Sequence, residues 1–146
     1  MKRKRPHMKP DFPRADIAGQ LAGLAGNEGE DAWTDGAITI PRRRAARAAY
    51  DKRYLAAVKE RYEQEGFVLT HIAVDARELE RSNVVMNKAR YEMYRQMLLS
   101  GATVPPLVVT ELVGGTLRIL DGNHRTQAAI DARQYSLPAL LRKGTA

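Results

Sequence analysis

Cysteine is absent from this 146-residue chain. Its absence excludes a disulfide framework, a thiolate metal site and a cysteine nucleophile, and it fits a reducing compartment. Long apolar runs are absent too, since no stretch approaches the roughly 18 residues that a membrane-spanning helix needs. The charged N-terminus has no apolar stretch behind it to form a signal peptide. The sequence therefore predicts a cytoplasmic protein without a membrane partner.

Acidic residues are in the minority, because 17 Asp and Glu stand against 24 Lys and Arg and the net charge is +7. The positive charge is densest just after Pro41, at Arg42, Arg43, Arg44 and Arg47. Such a cluster can bind the phosphates of DNA or RNA, although a solvated helix face has the same composition. These four arginines are the candidate nucleic-acid-binding residues.

The chain divides by composition into three segments. Residues 1–36 are basic and glycine-rich with few large apolar side chains, which predicts a flexible extension. Residues 37–65 are predicted to form a basic helix, because Pro41 suits a helix start and apolar residues recur at three- and four-residue intervals. These residues are Ala46, Ala49, Tyr50, Tyr54, Ala57 and Val58. Residues 66–146 alternate between strand and helix patterns, so they are predicted to hold the folded domain.

Residues 66–146 predict a small α/β (α+β) domain, in which helices pack on a mixed sheet. Runs of β-branched and apolar residues predict strands, and Gly114-Gly115 predicts a hairpin turn. Stretches with apolar residues three and four apart predict helices. The predicted order is strand Phe67–Val74, helix Asn87–Ser100, strand Leu107–Val113, strand Thr116–Leu120, helix Asn123–Gln134 and strand Leu137–Leu141.

The segment Asp121-Gly122-Asn123-His124-Arg125 carries most of the functional signal. A strand ends there, glycine permits a sharp bend, and a helix begins at once. The first N–H groups of that helix lack partners within it, and the helix dipole adds positive charge, so this end can bind an anion. Arg125 predicts a bidentate contact to phosphate oxygens, with His124 as a further donor. Asp121 could orient these donors, cap the helix or hold Mg²⁺.

This strand–turn–helix segment, with Pro105-Pro106 before its strands and a helix ending at Gly101, resembles the ParB/sulfiredoxin superfamily. The resemblance covers about half of the chain and implies a site for a nucleoside triphosphate with Mg²⁺. The phosphate-binding residues that it implies are Gly122, Asn123, His124, Arg125, Thr126 and Arg90, with Asn87 beside Arg90. It also implies Asp121 and His124 as catalytic residues and Asp121 as the Mg²⁺ ligand.

Departures from the family narrow what the resemblance implies. Asn123 stands where sulfiredoxins have their cysteine, so reductase chemistry is excluded. The chain ends five residues after Leu141, so we expect no helix-turn-helix region of a partition protein. Short relatives imply nucleotide binding, triphosphate hydrolysis, phosphoryl transfer or nuclease activity. The residues of this chain favour none of these functions over the others. A second hypothesis for the protein is a nucleic-acid-binding module that uses the basic N-terminal half. For His124 alone, the alternative to phosphate binding is a purely structural role. Glu78 and Glu80 lie where relatives place an acid toward the phosphates, but solvated carboxylates are the favoured interpretation.

Overall fold

The computed structural model describes residues 31–81 and 84–144, and the predicted mixture of helices and a small mixed sheet is confirmed. Within these ranges, none of the helices is long and apolar enough to cross a membrane. A 3₁₀ turn, Ala76–Glu78, follows β3. The strands and helices are β1 (Ala32–Thr34), β2 (Thr39–Pro41), α1 (Arg44–Gln64), β3 (Phe67–Asp75), α2 (Lys88–Leu99), β4 (Leu107–Glu111), β5 (Leu117–Asp121), α3 (Asn123–Ala132) and β6 (Ser136–Gly144).

The larger sheet has four strands in the order β3-β6-β4-β5. β6 runs parallel to β4 and antiparallel to β3, while β4 and β5 are antiparallel. β6 extends three residues beyond the predicted Leu141, because it pairs with β3 over its whole length, from Ser136 opposite Asp75 to Gly144 opposite Phe67. This order places the end of β5 beside β4, and the bend at Gly122 follows directly from there.

Each helix buries one apolar face against the core. α1 buries Tyr50, Tyr54, Val58 and Tyr62, which follow one another at intervals of four residues. The apolar side chains buried on α2 are Met93, Tyr94, Met97 and Leu98. Those buried on α3 are the small Ala128 and Ala129, which let this helix pack closely on its neighbours.

An N-terminal hairpin corrects two predicted boundaries. β1 and β2 pair with each other inside the segments predicted to be extension and helix, and Trp33 packs against the core. The folded part of the chain therefore includes residues 32–36, whereas residues 1–30 lie outside the described residues. The helix begins at Arg44 instead of directly after Pro41, because Pro41 is still paired in β2.

Asp35 holds this hairpin to α2. Its side chain is only 2% exposed, and its Oδ1 accepts hydrogen bonds from the N–H groups of Ala37 and Ile38. Its Oδ2 lies 2.9 Å from Nε of Arg90 on α2. Burial opposes the charge on Asp35, but the three hydrogen bonds outweigh it and lower the pKa of this carboxyl.

We expect Asp35→Ala to lower the free energy of unfolding by about 2–4 kcal/mol, because Arg90 and two turn N–H groups lose a buried acceptor. Chemical denaturation measures the change. Asp31→Ala is the matched control, since Asp31 makes only an exposed ion pair with Arg43 at 3.7 Å. The control should change stability by less than about 0.5 kcal/mol. Equal effects of the two variants would contradict the role given to Asp35.

Candidate functional site

Gly122 is required by the packing of the turn. It precedes α3 with a φ of 121°, a conformation that side chains other than glycine rarely adopt. A Cβ at this position would lie 2.3 Å from Cδ2 of Leu107 on β4. The space beside the glycine is therefore filled by the side chain of Leu107, and the bend presses α3 closely against the sheet.

Arg125 points into the interior and is 4% exposed. Its Nη1 donates to Oη of Tyr54 at 3.0 Å and to the carbonyl oxygens of Pro105 and Pro106, each at 2.9 Å. Its Nη2 lies 3.2 Å from Oδ1 of Asp121. Burial opposes the charge on Arg125, but Tyr54, Asp121 and the nearby Tyr94 outweigh it and raise the pKa of the guanidinium. We call Arg125, Tyr54, Pro105, Pro106 and Asp121 the Arg125 cluster.

The side chain of Arg125 points inward and not toward solvent. An arginine that reaches out to a phosphate would leave the fold nearly unchanged when replaced, whereas this guanidinium already donates to several groups of the chain. Asn123 and Thr126 are buried as well, and Oγ1 of Thr126 donates to the carbonyl oxygen of Gly122 at 2.9 Å. Any direct contact of these three side chains with a phosphate stays a prediction.

Asp121 does not fit the role of a Mg²⁺ ligand in this arrangement. The carboxylate is 3% exposed and pairs with Arg125, whereas Mg²⁺ keeps several waters when it binds carboxylates in proteins. Within residues 31–81 and 84–144, no group of three or more His, Asp or Glu side chains is arranged to hold a metal ion. Glu80 pairs instead with Arg118 of β5 at 3.0 Å.

Among the predicted phosphate-binding residues, His124 and Arg90 are the two that lie partly buried. They meet where α2 and α3 begin, because the N–H of Asn87 donates to Nε2 of His124 at 2.8 Å. Oδ1 of Asn87 in turn caps α2 by accepting from the N–H of Arg90 at 3.0 Å. Lys88 is exposed in the first turn of α2. We call Asn87, Lys88, Arg90 and His124 the α2–α3 junction.

The imidazole of His124 is neutral at pH 7. Burial, and then the positive charges of Arg90 and Arg125, lower its pKa to about 4, while Asp35 acts in the other direction. Because Nε2 accepts a hydrogen bond, the single proton of the neutral ring belongs on Nδ1. The side chain is thus a hydrogen-bond donor through Nδ1.

The predicted nucleic-acid-binding arginines divide into two kinds. Arg47 is tied into the fold, because it donates to Oδ1 of Asp51 and to the carbonyl oxygen of Thr103, both at 2.8 Å. Arg42, Arg43 and Arg44 are exposed at the start of α1. The guanidinium of Arg42 lies 3.6 Å from the centre of the Trp33 ring.

Two residues near the site were not predicted from the sequence in the roles that they have, namely Asp35 as a buried acceptor and Asn87 as the cap of α2. Asp35-Gly36 is a turn signal, and an asparagine just before a helical pattern is a capping signal. These two signals predict local hydrogen bonds. They do not predict that Asp35 reaches Arg90, which lies 55 residues further along the chain.

Replacing Arg125 with methionine is expected to lower the free energy of unfolding by about 3–5 kcal/mol, because the buried Asp121 loses its arginine. Denaturant titration measures the loss, with Arg44→Met as the exposed control. The double variant Arg125→Met/Asp121→Leu should be less destabilised than the single one, since no buried charge is left behind. A double variant that is no better than the single one would contradict the pairing.

Acidification is expected to weaken the fold through His124. Its pKa is about 4 in the folded chain against 6.5 ordinarily, so between these pH values the unfolded chain binds a proton that the folded chain excludes. The contribution of His124 to stability is therefore complete above pH 6.5 and is lost as the pH falls toward 4. Unfolding free energies measured across this window should depend less on pH in His124→Gln, which keeps an acceptor for Asn87. The exposed-site control His71→Gln should keep the wild-type profile, and a similar change in both variants would count against His124.

Comparison with known proteins assigns no family to the chain. No protein-family model matches it, and no curated protein matches it. The ParB/sulfiredoxin resemblance therefore depends on the residues of the strand–turn–helix segment alone, and nucleotide binding stays a prediction.

Proposed function

We propose that the α2–α3 junction binds the phosphate groups of a nucleotide. The starts of two helices meet there and are joined by the hydrogen bond from Asn87 to His124. Each start has the positive end of a helix dipole, so the two partial charges add at one place. The proposal keeps the ligand that the ParB/sulfiredoxin resemblance implies and changes which residues contact it.

The electrostatic state of His124 is the observation that carries this proposal. Burial alone lowers the pKa of any imidazole, but Arg90 and Arg125 lower the pKa of His124 further. The field at the junction is therefore positive, although Asp35 partly opposes it. A site with a positive field and several N–H donors favours an anion over a cation or a neutral ligand.

The residues of the turn then fall into two roles. Gly122, Asn123, Arg125 and Thr126 fix the shape of the turn from inside, because all four are buried. Contacts to the phosphates would come from Nδ1 of His124, from the cations of α2 and from the first N–H groups of the helices. A charge-assisted hydrogen bond of this kind is worth about 1.5–3 kcal/mol when it is partly buried.

Binding without turnover is the activity that the chemistry of the junction favours. Phosphoryl transfer requires positioned charge neutralisation and usually a metal ion held by carboxylates. Asp121 is occupied by Arg125, and a histidine with a pKa of about 4 is a weak base at neutral pH. We therefore assign to Asp121 and His124 the positioning of the turn and the donation of a hydrogen bond, and no catalytic step.

Titration calorimetry with ATP, CTP, GTP and inorganic phosphate, each with and without Mg²⁺, tests this function. We expect at least one nucleotide to bind, and His124→Ala to weaken it about tenfold through the loss of one donor. Lys88→Gln should weaken it about threefold to tenfold, because that cation is exposed. Lys143→Gln, an exposed lysine at the end of β6, is the control and should bind like the wild type. If both junction variants bind the nucleotide as tightly as the wild type does, the site lies elsewhere. If the wild type binds none of these ligands, the proposal is refuted.

A further inference from the structure

Positive charge is concentrated on the first part of α1 and on the residues just before it. Residues 42–56 contain six basic residues and one acidic residue, whereas residues 57–65 contain two and three. The single acid, Asp51, is bonded to Arg47, which is itself tied to Thr103. The other five cations of residues 42–56 are all exposed to solvent, and Arg43 lies 3.7 Å from the exposed Asp31. They are Arg42, Arg43, Arg44, Lys52 and Arg53.

Arg42, Arg43 and Arg44 lie at the start of α1, the end of a helix where cations are least favourable. The dipole makes the start of a helix positive, so acidic residues stabilise that end and basic residues destabilise it by roughly 0.3–1 kcal/mol each. α1 has no acidic residue in its first turn, and Arg43 at the N-cap makes no side-chain capping bond. A polyanion bound at this end of the helix would offset the repulsion between these cations and the dipole.

The outer face of α1 has a shape that suits a groove. The tyrosines and Val58 point into the core, and alanines alternate with the cations on the opposite side. The small side chains let the helix backbone approach a partner closely, and a helix of 21 residues is about 30 Å long. The exposed residues of this face are Arg44, Ala45, Ala48, Ala49, Lys52, Arg53 and Ala56.

We propose that this face, with Arg42 and Arg43, binds the phosphate backbone of duplex nucleic acid. We call it the α1 basic face, and it shares no residue with the α2–α3 junction, so either proposal can fail without the other. The major groove of a DNA duplex is wide enough for an α-helix, and cations on such a helix can reach the flanking phosphates. Arg47 is not part of the face, because its guanidinium is held within the fold.

The structure favours a duplex over two other anionic partners. Helices that lie on membranes insert apolar side chains, but the large apolar side chains of the middle of α1 are buried in the core. Proteins that bind single strands stack bases on exposed aromatic rings. The tyrosines of α1 are buried, and the ring of Trp33 is covered by Arg42.

Fluorescence anisotropy with short duplexes of DNA and of RNA, a single strand and anionic lipid vesicles tests the proposal. The variant Arg44→Gln/Lys52→Gln/Arg53→Gln should bind the preferred duplex about tenfold or more weakly at low salt. Its plot of log affinity against log salt should be flatter by about two to three units, one for each lost phosphate contact. The control Arg77→Gln/Arg118→Gln/Arg133→Gln removes the same charge outside α1 and should stay within about twofold of the wild type.

A single substitution separates binding from folding. Arg44→Glu places an acid in the first turn of α1, where the dipole favours it, so the melting temperature should be unchanged or higher. Its affinity for the duplex should nevertheless fall by about tenfold or more, because the new carboxylate repels phosphates. Three results would each overturn the proposal. The first is an equal loss of affinity in the α1 variant and in the charge-matched control, and the second is equal binding of single strands or of vesicles. The third is that the wild type binds neither duplex.

Discussion

The guanidinium of Arg125 is the group on which the rest of the structure depends. Arg125 belongs to α3. Its guanidinium contacts Tyr54 on α1, the carbonyl oxygens of Pro105 and Pro106 before β4, and Asp121 at the end of β5. A buried charge is costly unless all of its donors and acceptors are matched. Because the partners come from three separate parts of the chain, the charge is tolerated only when those parts are assembled in this one arrangement.

The Arg125 cluster also explains why so little of the turn is left for a ligand. Its inward guanidinium and the contact between Gly122 and Leu107 press the start of α3 against β4. His124, the residue just before Arg125, lies toward the start of α2 and accepts a hydrogen bond from the N–H of Asn87. Most side chains of the segment 121–125 are thus buried within the fold. His124 is the residue of this segment that takes part in the proposed site.

One ion pair and one buried hydrogen bond connect the two proposed surfaces to the core of the fold. Arg90, in the α2–α3 junction, is held by Asp35 of the N-terminal hairpin, and Asp35 is held by the turn that follows it. Tyr54 on the inner side of α1 contacts Arg125, while the α1 basic face lies on the outer side of the same helix. The two proposed surfaces are therefore supported by one core although they share no residue.

The sequence by itself determined the long elements, and the tertiary structure decided the short ones. Apolar spacing predicted α1, α2, α3 and the strands of the main sheet, with errors of a few residues at their ends, because periodicity over ten or more residues is a strong signal. β1 and β2 were missed, since three residues are too few to establish alternation. Their hairpin is stable through contacts with Arg90 and the core, which no local pattern contains.

The sequence showed which residue types meet at the candidate site, but it did not show whether each side chain points to solvent or into the interior. Gly122 could be predicted as a bend, because a strand and a helix meet there and glycine accepts the necessary backbone angles. Whether Arg125 faces solvent or the interior depends on Tyr54, which lies 71 residues away in the chain. Charge, spacing and turn chemistry are local properties of a sequence. The burial of a charge is decided only when distant segments come together to pair with it.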